Sequence, residues 1–125
     1  MKKTLSESID FPDKGEQIEF ELSGDTKKGI FITKIYRGRI NHKKYEIGVR
    51  VKKNNKLLFE LYISPGKVHP NPDGRKIMGS HWHIYIEEFE RRFAYPAEKL
   101  ESDKFVENTI LFLDRFNVIE KPTIN

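Results

Sequence analysis

The chain has 125 residues, enough for one domain, since compact domains cluster at roughly 100–150 residues. Charged residues (34%) nearly equal hydrophobic ones (37%), so the core is modest, but nine Phe, five Tyr and one Trp supply the large apolar side chains that disordered chains lack. The formal net charge is only +4; the lack of cysteine excludes disulfides, thiolate nucleophiles and cysteine-based zinc sites, and no apolar run comes near the roughly 20 residues that a membrane helix needs.

Residues 1–16 are polar, with Pro12 and Gly15, and read as a leader, loose or holding one short helical turn. The domain proper is expected over residues 17–125. The lysines at Lys2 and Lys3 have no apolar segment behind them, so no secretory signal is expected and the cytoplasm is the expected compartment. From Gln17 the apolar period becomes two, the signature of a strand. Ile18, Phe20 and Leu22 alternate with Gln17, Glu19 and Glu21, and Ser23-Gly24-Asp25 reads as a turn. Gly29 to Tyr36 is a second strand, apolar partly on both sides through Ile30, Phe31, Ile32, Ile35 and Tyr36, and so expected at the sheet centre. In a third strand Tyr45, Ile47, Val49 and Val51 face one way and Lys44, Glu46, Gly48 and Arg50 the other. Asn54-Asn55 makes a hairpin turn, because Asn accepts left-handed backbone angles. The fourth strand sets Leu57, Phe59, Leu61 and Ile63 against Leu58, Glu60 and Tyr62.

The basic residues are concentrated across this same region. Between Lys27 and Lys56 eleven of them face one acid, Glu46, a local excess of +10 that leaves −6 for the rest of the chain. Such segregation makes a positive field that a polyanion can feel. Lys34, Arg37, Arg39, Lys43, Lys44, Arg50, Lys52 and Lys53 are therefore the candidate nucleic-acid contacts, RNA favoured over DNA. The competing reading is a set of solvated hairpin tips whose lysines blunt exposed strand edges.

Beyond residue 63, Asn71-Pro72-Asp73-Gly74 fits a type I turn and sets His69 and Arg75 at the two mouths of a loop. A fifth strand is expected from Lys76 to Glu87, with Met78, Ser80, Trp82, Ile84 and Ile86 on one side and Gly79, His81, His83, Tyr85 and Glu87 on the other. Glu87-Glu88 and Glu90-Arg91-Arg92 read as a charged surface turn, and Phe93-Ala94-Tyr95-Pro96 as a short returning strand. A helix is expected from about Asp103 to Phe116, capped by Ser102. Its stripe of Phe105, Thr109, Phe112 and Phe116, with Val106, Ile110 and Leu113, must bury itself on the apolar face of the sheet. The fold expected is α+β: a curved antiparallel sheet of about five or six strands, open or partly closed into a barrel, packed on one C-terminal helix.

The alternation places both imidazoles and Tyr85 on the face that does not bury the core, with Trp82 inside. Imidazole has an ordinary pKa of about 6.5, so one histidine can take a proton while a neighbour gives one. His81 and His83, with His69, Arg75 and Tyr85, are accordingly the candidate catalytic residues of a metal-independent cleavage of phosphodiesters, in which cations stabilise the transition state. Tyr85 and Tyr62 are placed to donate hydrogen bonds or stack a base. The other reading makes His81 and His83 metal ligands, completed by His69 or Glu60, but a bare His-x-His is a weak signal. No cofactor and no metal is expected.

Three stretches together, His69-Pro70-Asn71-Pro72-Asp73-Gly74, His81-Trp82-His83-Ile84-Tyr85 and Phe93-Ala94-Tyr95-Pro96, resemble an uncharacterised family of small bacterial proteins, over about residues 44–118. Those proteins share an H-x-N-P-D-G loop, an H-x-H-x-Y strand and an aromatic-Ala-aromatic/apolar-Pro segment; where Phe93 stands here, Trp is expected. The basic window lies mostly outside this span. The family has no assigned chemistry, so the resemblance points only to positions worth testing: His69, Asn71, Asp73, His81, His83 and Tyr85. It also implies genes that accompany mobile elements. From residues and resemblance together, the function expected is a small basic, nucleic-acid-directed protein, toxin-like and RNA-cleaving, in a toxin–antitoxin or phage-defence system, with an antitoxin or other protein as partner. The alternative is a non-enzymatic module that binds nucleic acid or a partner protein.

Overall fold

The structure is a computed structural model and describes residues 2–4, 7–24, 29–40, 44–63, 68–71, 73–84, 94–97 and 104–125. In chain order its elements are β1 (Lys2–Thr4), β2 (Ser8–Ile9), β3 (Gln17–Ser23), β4 (Ile30–Arg37), β5 (Tyr45–Val51), β6 (Leu57–Ile63), β7 (Val68–Pro70), β8 (Lys76–Met78), β9 (His81–Ile84), β10 (Ala94–Pro96), α1 (Phe105–Arg115), β11 (Val118–Glu120) and β12 (Thr123–Ile124). Eight strands make one sheet in the order β10-β9-β6-β5-β4-β3-β1-β11. Its pairings are antiparallel apart from β1 with β11. The sheet is open, with β10 and β11 at its edges, and α1 is the one helix among the described residues. The class is α+β, as the alternation predicts. No helix among the described residues is long and apolar enough to cross a membrane.

The core follows from the cross-strand register. One row runs Ile18, Ile35, Ile47, Leu61, Trp82, Tyr95 and the next Phe20, Thr33, Val49, Phe59, Ile84. Side chains in one row share a face, and α1 covers this face. Phe112 is fully buried, stacked on Phe59 at 4.8 Å between ring centroids, and Leu113 and Thr109 are buried beside it. Asn108 is buried too, its Nδ2 donating to the Tyr45 hydroxyl at 2.6 Å, which satisfies both polar groups. The helical stripe is narrower than expected, since Val106 and Ile110 are exposed.

Several local expectations are corrected. The described residues among the first sixteen hold strands rather than a helical turn: β1 inserts between β3 and β11, β2 pairs with β12, and Phe11 stacks on Phe105 at 4.6 Å. The expected fifth strand is broken at Gly79 (φ +83°), so β8 pairs with β7 while β9 joins the main sheet. A bulge where Arg50 pairs with Leu57 shifts the start of β6, which packs Leu58 against the core. The helix begins at Phe105 with Lys104 at the cap position and no side-chain cap; Ser102 and Asp103 lie outside the described residues.

Both turns follow the sequence chemistry. Asn55 sits at φ +57° in the β5–β6 hairpin. At the tip of the β7–β8 hairpin the Gly74 N–H donates to the Asn71 carbonyl at 3.0 Å, and Gly74 takes φ +89°. Asp73 accepts from the backbone N–H of Arg75 at 3.0 Å and from its Nε at 2.9 Å. Those bonds, the backbone one foremost, hold the Asp73 carboxyl below its ordinary value of 3.8.

Two measurements check this packing. Phe112→Ala is expected to lower the unfolding free energy by about 3–5 kcal/mol in urea titration, whereas Ile110→Ala should stay within about 0.5 kcal/mol; equal losses would mean that α1 is rotated. An Asp73 titration by NMR should give a pKa below 3.8, rising only partly in Arg75→Ala because the backbone donor persists. Since the folded value is the lower one, the contribution of Asp73 to stability is present above the unfolded pKa and lost as pH falls through the folded one. The stability difference between the native chain and Asp73→Asn should therefore shrink on acidification.

Candidate functional site

The face opposite α1 carries two cross-strand rows: Glu19, Lys34, Gly48, Glu60, His83 and Gln17, Tyr36, Glu46, Tyr62, His81. The alternation along β9 is as expected, with Trp82 against the core and the imidazoles on the other side. Their setting is not. His81 is fully buried and His83 is 6% exposed, so they do not project from a solvated surface. Tyr62 lies nearly parallel to His83 at 4.7 Å, and the two imidazoles are 4.8 Å apart. His81 Nδ1 is 2.9 Å from the Gly79 carbonyl oxygen. A carbonyl can only accept, so Nδ1 carries the proton and, in the neutral ring, Nε2 is the acceptor.

Glu60 pairs across the strands with His83, is itself buried, and accepts a long hydrogen bond from the Tyr62 hydroxyl at 3.4 Å. Gly48 makes room for it: a Cβ there would sit 3.2 Å from Glu60 Cγ. The missing side chain leaves a polar cleft of about 320 Å³ over Gly48, bounded by Lys34, Glu46, Arg50, Glu60 and Tyr62, with Leu57 at one side.

The candidate cations are dispersed. Lys34 and Arg50 line the cleft. Arg50 reaches across β4 to Glu19 at 2.6 Å, and Lys52 pairs with Glu21, so carboxylates from outside the basic window offset part of its charge. Arg37 lies on the helix side, its guanidinium 4.4 Å from the Phe105 ring centroid and donating to the Pro12 carbonyl. Arg39 packs against Gly15, and Lys44 and Lys53 are exposed beyond opposite ends of β5. Lys43 and Tyr85 lie outside the described residues, as does the side chain of His69, whose backbone pairs with Ile77. Arg75 is exposed at the hairpin tip and paired with Asp73. Glu60 entered the sequence reading only as a metal ligand. Its place beside His83 depends on a register across the β6–β9 connection that periodicity cannot supply. Among the described residues no three histidine, aspartate or glutamate side chains are grouped to hold a metal ion.

Comparisons with curated proteins and with solved structures return no match. A family model does match, over residues 1–118, and so takes in the N-terminal strands and the basic window as well as the segments that carried the resemblance. With nearly its whole length covered, the chain belongs to this family of unknown function, DUF6978.

Proposed function

We propose that the protein is a nucleic-acid-directed binding module, with single-stranded RNA its preferred ligand, acting through the outer face of the sheet. The observation that carries this reading is the cleft over Gly48, where Lys34, Arg50 (paired with Glu19), the Tyr62 ring and the Glu46 and Glu60 carboxylates converge on about 320 Å³. The two cations suit a phosphate, the ring suits stacking, and a carboxylate accepts from the N–H edge of a base. That volume is at the small end of ligand sites, which suits one unstacked nucleotide rather than a duplex. Sequence-specific RNA recognition works on such splayed-out bases.

The burial of the histidines favours binding over cleavage. A general base must come within about 2.6–3.2 Å of the proton it takes, and a fully enclosed His81 ring does not meet a polymer. His81 and His83 instead lie against the Tyr62 ring, at 5.2 and 4.7 Å between ring centroids. One observation supports the cleavage reading: the cross-strand pairing of Glu60 with His83. A carboxylate beside an imidazole orients it and stabilises its protonated form. In that reading a 2′-oxygen attacks the adjacent phosphorus, a base takes its proton, and the departing 5′-oxygen receives one. Lys34 would steady the charge that develops. Such an activity would suit a toxin of a toxin–antitoxin or phage-defence system, with a protein antitoxin as partner.

The test is fluorescence anisotropy on labelled single-stranded RNA and DNA across a salt series, with cleavage followed on the same oligonucleotides. Binding should weaken linearly with the logarithm of salt concentration. Lys34→Ala/Arg50→Ala should flatten that slope by about 0.7 for each phosphate no longer neutralised, and Tyr62→Ala should cost about 1–3 kcal/mol of stacking. Cleavage by the native chain that disappears in His83→Ala, with binding intact, would transfer the conclusion to the enzymatic reading. No salt-dependent binding to either polymer would sink both.

A further inference from the structure

The sheet is hollowed on both sides. On the helix side a concavity of about 530 Å³ is walled by Phe59, Trp82, Tyr95 and Phe116, with Leu58 and Ile84 at its rim. Aromatic walls take apolar groups of many kinds and name no single ligand. The cleft over Gly48 is more exacting, because it sets charged groups of both signs around room for one base.

Its cations and carboxylates have separate parts to play. Lys34 stands half-buried opposite Gly48 and joins no ion pair among the described residues, whereas Arg50 is held by Glu19. Glu46, half-buried on β5, is also in no ion pair among the described residues. In the register it stands directly between Tyr36 on β4 and Tyr62 on β6. Residues opposite each other on neighbouring strands have Cβ atoms about 4.5–5.5 Å apart. A base laid over the Tyr62 ring in the cleft therefore meets the Glu46 carboxylate at its edge, and Lys34 is left for a phosphate.

An ionised carboxylate only accepts hydrogen bonds, so it reads donors. Guanine alone among the RNA bases has two adjacent donors on its Watson–Crick edge, N1–H and N2–H, which match the two carboxylate oxygens. Adenine and cytosine offer an amino group beside a ring nitrogen that is itself an acceptor, and uracil offers one N–H between two carbonyls. With each of these a carboxylate oxygen faces a lone pair, and that repulsion discriminates as much as the bonds to guanine do.

We propose that the cleft over Gly48 selects guanine, with Glu46 accepting from N1–H and N2–H, the base on Tyr62 and a phosphate on Lys34. The inference rests on the nucleic-acid reading and narrows it from a polymer to a base.

The probes are short labelled oligouridylates whose central nucleotide is guanosine, inosine, adenosine or uridine, titrated by anisotropy at one salt concentration. The native chain should hold the guanosine strand about tenfold more tightly than the adenosine strand. Inosine, which keeps N1–H and lacks the N2 amino group, should fall between them. Glu46→Gln keeps the shape, loses the charge and should erase the preference. The adenosine and uridine strands should bind this variant at least as tightly as they bind the native chain, an outcome that a purely structural role would not give. Equal binding of all strands by the native chain overturns guanine selection and leaves the nucleic-acid reading standing; binding of none overturns both. A guanosine preference that survives Glu46→Gln, or a loss of affinity common to all strands, overturns Glu46 as the reader.

Discussion

Because Leu61 pairs with Trp82 and Glu60 with His83, one β-sheet register assigns every side chain of this region to its face. The period of a strand is two, so a slip of a single residue would turn the indole out and drive both imidazoles under the helix. The cost of that slip is large on both sides. Trp82 would be parted from Phe59 and Phe112, and imidazoles carried beneath α1 would need hydrogen-bond partners in an apolar layer. The arrangement of both clefts is therefore secured by the same interactions that close the core.

The outer face is the less ordinary half of the structure. A sheet with one helix layer normally leaves its second face solvated, yet Glu60, His81 and His83 are all buried there. Buried polar groups are tolerated when they find partners, and Glu60 finds one in Tyr62, which in turn stacks on His83. The ion pairs of Arg50 and Lys52 on the same face contribute little, since partly exposed pairs are worth about 0–1 kcal/mol. Their effect is on the field: Glu19 and Glu21 reach over from β3 and reduce the positive potential around β5.

The sheet from Gln17 to Ile63 is legible in the sequence because its strands alternate over most of their length, β6 falling out of step only at its bulge, and the hairpin chemistry of Asn54-Asn55 is local. The helix is legible because Phe105, Phe112 and Phe116 recur at helical spacing. What escapes is non-local. Ile9 and Phe11 are too few to make a period, so β1 and β2 reveal themselves only through the strands that receive them. Gly79 lies within an alternating run, and nothing in the pattern says that the chain turns there. The charge window is real in sequence but partly dissolves in space, because its counter-charges come from β3. For the histidines, alternation gives the phase of a side chain and not what lies over that phase, so direction was readable and burial was not.

The bulge near the start of β6 ties the two faces together. Regular alternation would keep Leu57 in step with Phe59, Leu61 and Ile63, all towards the helix. Because Arg50 pairs with Leu57 across an irregular step, Leu57 lines the polar cleft while Leu58 packs towards the core and rims the apolar one. A bulge re-aims side chains at the expense of one unpaired residue, and here it supplies an apolar wall to each cleft at once. Just beyond it, Phe59 and Glu60 carry the alternation on to opposite sides, one into the aromatic cleft and the other over Gly48. A change at positions 57 or 58 that restored regular pairing would thus disturb both concavities, although they open on opposite faces of the sheet.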